Sequence, residues 1–223
     1  MKFGVVVFPG SNCDRDMIHA LQNDLNQEVI TLWHKDKDLS KFNVSDCIVL
    51  PGGFSFGDYL RCGAIARFST MMQSVIDFAN KGGKVFGVCN GFQILCESGL
   101  LPGVLLQNAH RQFACKNIFL TKEENPPGAI YKIPVAHGEG RYFAKEKEIE
   151  EIEKNNQVLY RYCNEEGDVD IAHSPNGSLK SIAGITNKER NVFGMMPHPE
   201  RACNAILNNT DGRKIFSDLF SIN

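Results

Sequence analysis

Eight cysteines and six histidines are scattered over the 223-residue chain, and few of them stand where a side chain could do chemistry. The sharpest case is Cys89, in Gly87-Val88-Cys89-Asn90-Gly91. An apolar strand pattern runs into a cysteine between two glycines and straight on into a helical pattern. That has the form of a nucleophile elbow with cysteine in the serine position. The sharp turn strains the nucleophile's backbone, and flanking glycines relieve the crowding. The side chain is then thrust out at a sheet's C-terminal edge, beside the free N–H groups and positive dipole end of a helix. Both favour a thiolate, lowering the pKa from about 8.5.

Cys13, in Phe8-Pro9-Gly10-Ser11-Asn12-Cys13-Asp14, is a rival, because it too lies between a strand pattern and a helical one. Asp14 and Asp16 beside it disfavour a thiolate. No glycine flanks it, and the segment reads as a tight loop with Ser11 or Asn12 capping the helix. The base for Cys89 is sought among the histidines. His19, His34, His110 and His173 lie in sequence with no further catalytic cue, whereas His198 stands in Pro197-His198-Pro199-Glu200. The prolines exclude a helix, and an extended backbone puts His198 and Glu200 on one face. Glu200 then accepts an imidazole N–H, fixes the tautomer and leaves the other nitrogen for Cys89. Acyl transfer also needs oxyanion donors. The N–H groups of Gly53, in Pro51-Gly52-Gly53-Phe54, and of Asn90 would supply two, each worth roughly 3 kcal/mol. Taken alone, these glycines make only a turn.

The elements that position these residues alternate over the first hundred positions. Strands are expected at Lys2–Phe8, Glu28–Trp33, Cys47–Leu50 and Val85–Val88. Helical spacing recurs at Met17, Ile18, Leu21 and Leu25, over Gly63–Asn80 and over Asn90–Ser98. Such alternation implies βαβ crossovers and a parallel sheet. Later strands are expected at Lys116–Thr121, Lys132–Val135, Val158–Tyr162, Ser181–Thr186 and Val192–Met196, several of them antiparallel. Lys145–Asn155 reads as a charge-rich helix with a solvated face, and Asp211–Ser221 as a closing helix with Ile215, Leu219 and Phe220 inward. With no repeat, low-complexity tract or linker, residues 1–223 are read as a single domain.

Composition narrows the class. A 43% hydrophobic content supports a sizeable core, and a net charge of −2 with no basic block argues against nucleic acid or an anionic membrane as partner. No segment approaches membrane-spanning length, and the apolar N-terminal run is too short for a signal peptide, so a cytoplasmic protein is expected. The cysteines form no CxxC pair. No metal site or disulfide scaffold is expected from them. No phosphate-binding glycine loop appears, so ATP is not expected on this chain.

Together these pieces resemble a class I (triad) glutamine amidotransferase over essentially the whole length. The blocks FPGSNCDRD, PGGFSFGDYLRCGA, GVCNGFQIL, VAHGEGRY and MMPHPERA carry the resemblance. Within the class they are similar to the glutaminase subunits that feed an amidine-forming synthetase of purine biosynthesis. The resemblance implies an α/β, flavodoxin-like open sheet, mostly parallel, with helices on both faces and some antiparallel strands in the second half. It implies Cys89 as nucleophile, His198 and Glu200 completing the triad, Gly53 and Asn90 as the oxyanion hole, and Gln93 on the substrate glutamine. Ser55 and the His137-Gly138-Glu139 loop would line the same pocket. The implied partners are a separate synthetase subunit, which would hold ATP and Mg, and a small third subunit. Cys62 and the modest insertion Asn164–His173 are expected to touch none of these motifs. A cysteine hydrolase of similar fold, a flavodoxin-like nucleotide-binding module and a glutaminase serving a different synthetase stay open as alternatives.

Overall fold

The computed structural model describes residues 1–123 and 128–222. The strands are β1 (Lys2–Val7), β2 (Glu28–Trp33), β3 (Cys47–Leu50), β4 (Lys84–Val88), β5 (Val104–Leu106), β6 (Ala114–Lys122), β7 (Ile130–His137), β8 (Arg141–Phe143), β9 (Val158–Cys163), β10 (Ile182–Thr186) and β11 (Val192–Met195). The α-helices are α1 (Asp14–His19), α2 (Thr70–Asn80), α3 (Asn90–Glu97), α4 (Glu146–Lys154) and α5 (Asp211–Phe220). Nine strands form one sheet in the order β2-β1-β3-β4-β11-β10-β9-β6-β7, and β5 and β8 pair separately. The pairs from β2 to β11 are parallel and those from β11 to β7 antiparallel, so only β10 and β6 run against the other seven strands of the nine. This is the expected mixed, mostly parallel sheet. The small β5–β8 pair was not legible in the sequence.

The last strand, β11, lies beside β4 with Val192 opposite Val85 and Met195 opposite Val88. Successive residues of a strand point to opposite faces, and β11 shows what covers each. Phe193 meets Phe220 of α5 edge-on at 5.9 Å. Gly194 faces Phe92 of α3, so closely that a Cβ would come within 2.3 Å of that ring. Helices therefore cover both faces at the centre of the sheet. On the α5 side, Phe3 and Phe86 also stand edge-on to Phe220, at 5.6 and 5.5 Å.

Several local expectations change. The helix expected over Gly63–Asn80 is a short 3-10 turn, Ala66–Phe68, followed by α2. Ser69 breaks the run because its extended backbone lets the side chain accept from Met72 N, an N-cap that restarts the helix. Neither Ser11 nor Asn12 caps α1: Cys13 holds the cap position without a side-chain bond. Ser11 Oγ instead donates to the Gly52 carbonyl at 3.3 Å, joining the loops after β1 and β3. On α5 the buried apolar face is Ile215, Phe216 and Phe220, with Leu219 only half-buried. The charged helix α4 behaves as expected, burying Ile149 and Ile152 alone.

Candidate active site

Cys89 follows β4 at the C-terminal edge of the parallel strands. It is buried, with φ 51° and ψ −106°, a region that a non-glycine residue rarely enters. Two backbone bonds hold it there: its N–H donates to the Met195 carbonyl at 2.8 Å, and its carbonyl accepts from Gln93 N at 3.1 Å. The elbow's second glycine is a steric necessity. A Cβ on Gly91 would lie 1.9 Å from the Leu50 carbonyl oxygen of β3. Helix α3 is thus seated directly on the neighbouring strand end.

His198 follows β11, the strand beside β4, so the two residues leave adjacent strand ends. Its N–H donates to the Pro134 carbonyl of β7 at 2.9 Å. The backbone beyond is not extended: Pro199–Ala202 form a 3-10 turn with proline at its first position, where no N–H is needed. The turn still brings Glu200 round to its partner, with His198 Nδ1 to Glu200 Oε1 at 2.6 Å and both residues buried. That pairing leaves Nε2, buried and without an aligned hydrogen bond, as the nitrogen available to Cys89. Burial alone would lower the imidazole pKa, but the Glu200 carboxylate and the adjacent Cys89 thiol outweigh it and raise it to about 10. The arrangement makes His198 a strong proton carrier between a thiol and a carboxylate.

In front of Cys89 lies a cavity of about 200 Å³ lined by Gly53, Phe54, Asp58, Cys62, Gln93, Phe113, Ala136, His137, Gly138 and Glu139 as well as Cys89 itself. Gly53 has φ 124°, and a Cβ there would press within 2.6 Å of Asn12 N. Asn90 is buried. Its Nδ2 donates to Gln93 Oε1 at 3.0 Å and to Asp58 Oδ1 at 3.2 Å, and its Oδ1 accepts from Ser55 N at 3.2 Å. Gln93 in turn donates to the Glu139 carbonyl at 2.6 Å. Asn90 and Gln93 therefore tie the loop after β3 and the loop after β7 to the start of α3. Ser55 is buried with its Oγ unpartnered among the described residues, but it does not line the cavity.

The wall formed by β7 has its own support. Asn108 Nδ2 donates to the Gln112 and His137 carbonyls, each at 2.9 Å. That leaves Asn108 Oδ1 to accept from Gly140 N at 3.0 Å and from His137 Nδ1 at 3.1 Å. Burial, with His198 nearby, lowers the His137 pKa to about 4. His137 is neutral at pH 7, with Nε2 as an acceptor that has no partner among the described residues. Asn108 escaped sequence reasoning because it sits outside every motif; only the fold brings it under the loop.

Two cysteines need correction. Cys62 does touch the motifs: it lines the cavity, and its Sγ donates to Asp58 Oδ2 at 3.1 Å. Burial, helped by Asp58 and Glu139, drives its thiol pKa far up. Cys13 is disfavoured as a nucleophile, as expected, but mainly by burial, which pushes it up to about 12. Arg201 opposes that shift, and Asp16 adds least. Arg201 Nη2 donates to Cys13 Sγ at 3.1 Å, and its Nε to Asp16 Oδ2 at 3.0 Å. Among the described residues, Cys13, His198 and Glu200 each place one potential ligand atom within 4.8 Å of the others.

Comparison with known proteins agrees with this geometry. Residues 1–219 match the model of the CobB/CobQ-like glutamine amidotransferase domain. The chain is 52% identical to the phosphoribosylformylglycinamidine synthase subunit PurQ of Moorella thermoacetica, over 98% of this chain and 95% of that protein. It is 49% identical to the PurQ subunit of Aquifex aeolicus, over 99% and 100% of the two chains. A chain in the structure of PurLQS from Thermotoga maritima superposes with a TM-score of 0.84 at 41% identity, covering 99% of this chain and 97% of that one.

Proposed function

The chain belongs to the CobB/CobQ-like glutamine amidotransferase family, and from that premise we propose that it is the glutaminase subunit of a phosphoribosylformylglycinamidine synthase. The observation that carries the reading is the buried His198–Glu200 pair set behind Cys89 at the mouth of a cavity, in a chain about half identical to PurQ subunits over nearly its whole length.

Glutamine enters the cavity with its side-chain amide toward Cys89. The Cys89 sulfur attacks the amide carbon with its proton already held on the His198 imidazole, which is cationic at neutral pH. The Gly53 and Asn90 N–H groups stabilise the oxyanion. His198 then protonates the departing nitrogen, ammonia leaves, and water hydrolyses the thioester to glutamate with His198 as base. Glu200 holds the imidazole in register and stabilises its cationic form. Gln93 and the His137-Gly138-Glu139 loop bound the substrate, and Ser55 braces Asn90 from behind. Residues 1–223 act as one amidotransferase domain.

The ammonia passes to a separate synthetase subunit, which holds ATP and Mg and converts formylglycinamide ribonucleotide to the amidine. A small third subunit completes the assembly, as the PurLQS name of the structural relative suggests. No described helix is long and apolar enough to cross a membrane, and the enzyme works in the cytoplasm on this reading.

The test is Cys89→Ala in the reconstituted complex. Glutamine-dependent amidine synthesis should fall by at least about 10⁴-fold, while synthesis from added ammonium salt persists at the wild-type rate. Equal loss with both nitrogen sources would refute two separable sites.

A further inference from the structure

The cluster of Cys13, His198 and Glu200 has a chemistry that glutamine hydrolysis does not use. Its ligand atoms, one each of sulfur, nitrogen and oxygen, lie within 4.8 Å of one another, and all three residues are buried. Cys13 does not line the glutamine cavity. It approaches His198 from the Glu200 side: a Cβ on Gly52 would lie 3.3 Å from both Cys13 Sγ and His198 Nδ1. Glu200 Oε2, fully buried, has no hydrogen-bond partner among the described residues. An unsatisfied carboxylate oxygen in such a place is costly, and a cation would satisfy it.

We propose that Cys13, His198 and Glu200 form an inhibitory site for a thiophilic divalent cation, Zn²⁺ being the type, whose occupancy switches the glutaminase off. This rests on the proposed roles of His198 and Glu200. A thiolate, an imidazole and a carboxylate suit zinc, whereas magnesium and calcium need oxygen ligands. Bonds of about 2.0–2.3 Å to a common ion put tetrahedral ligand atoms about 3.3–3.8 Å apart. From separations within 4.8 Å no pair need close by more than about 1.5 Å, while the 2.6 Å pair of His198 Nδ1 and Glu200 Oε1 must open. Binding releases two protons, one from the Cys13 thiol and one from the His198–Glu200 pair. It leaves a neutral cluster of one dication, one thiolate and one carboxylate. The Arg201 guanidinium, already donating to Cys13 Sγ, then stabilises the bound thiolate. With its Nδ1 on the metal and Glu200 withdrawn, His198 can no longer take up a proton at Nε2. The site therefore couples cation availability to ammonia production without touching the synthetase.

The test uses Co²⁺ as a spectroscopic probe on the full-length chain and Zn²⁺ in assays of the complex. Cobalt should give a thiolate-to-metal charge-transfer band that persists in Cys89→Ser and disappears in Cys13→Ser and Cys13→Ala. Zinc should abolish glutamine-dependent turnover reversibly, with recovery on adding EDTA, and leave ammonia-dependent synthesis intact. Cys13→Ser should keep wild-type glutaminase activity yet need at least about tenfold more zinc for half inhibition, since even an outer-shell partner is worth 10–100-fold in metal affinity. A band that follows Cys89, the absence of any band, or unchanged zinc sensitivity in Cys13→Ser would overturn the site. A Cys13-dependent band with undiminished glutaminase would instead refute His198 and Glu200 as the catalytic pair, and with it the switching role.

Discussion

The two halves of the sheet serve the site differently. The parallel half, β2 to β11, ends its strands at one edge, and the loops leaving β3, β4 and β11 deliver Gly53, Cys89 and His198. Among the described residues, the antiparallel half delivers none of the three candidate catalytic groups Cys89, His198 and Glu200. Through β7 it supplies the wall carrying Ala136, His137, Gly138 and Glu139, braced by Asn108. Parallel strands bring like ends together, so residues far apart in sequence meet without long excursions. Antiparallel strands alternate their ends, and they suit a wall better than a convergence point. If this division holds, damage to the parallel half should reduce turnover and damage to the antiparallel half should weaken substrate binding.

The largest effect tests the base. His198→Ala should lower kcat by about 10²–10⁴-fold, and Glu200→Gln by less, with both chains folded by circular dichroism. Glu200→Gln removes the strongest influence raising the imidazole pKa, so the midpoint should fall from about 10 toward its ordinary value of 6.5. The carbon-bound imidazole protons report this by NMR. The folded pKa being raised, protonated His198 contributes stability that is fully present below about pH 6.5 and lost as pH rises toward 10. Urea unfolding between pH 7 and 9 should show that decline in the wild type and not in Glu200→Gln. An identical midpoint in the two proteins would mean that Glu200 only positions the ring.

A second test touches the parallel half without touching chemistry. Gly91→Ala drives a methyl group into the Leu50 carbonyl and should destabilise the fold by about 3–5 kcal/mol in denaturant titrations. A loss below 1 kcal/mol would show that α3 can lift from β3 freely, and that the elbow is not set by the sheet.

The smallest effect should come from the other half. Asn108→Ala frees His137 and Gly140 and strands two carbonyls. A cost of about 1–3 kcal/mol should appear mainly as a raised KM for glutamine, with kcat changed less than threefold. A fall in kcat with unchanged KM would break the division between the halves.

How much of this was legible in sequence follows the same line. Glu28–Trp33 and Cys47–Leu50 have the expected bounds, and β1, β4 and β11 differ from theirs by one residue at one end, because apolar runs between turn residues mark such strands. The elbow at Cys89 and the His198–Glu200 pair were legible because local spacing encodes each. The extended backbone read for that pair was wrong, since proline forbids helix interiors but not first turns. Ser69 hid a helix start inside an apolar period. Asn108, Asp58, Cys62 and the approach of Cys13 to His198 were illegible for a different reason. Each depends on contacts across long stretches of chain, which no local period records.

The pairing of β11 with β4 has a consequence for how the protein is made. Chains emerge from the ribosome N-terminus first, so Cys89 and its strand appear long before Val192–Met195 can form. Until then β4 lacks the neighbour that accepts the Cys89 N–H through Met195, and no imidazole stands beside the thiol. A chain cut short of β11 is therefore chemically silent, and hydrolysis of glutamine must await the synthesis of Val192–Glu200.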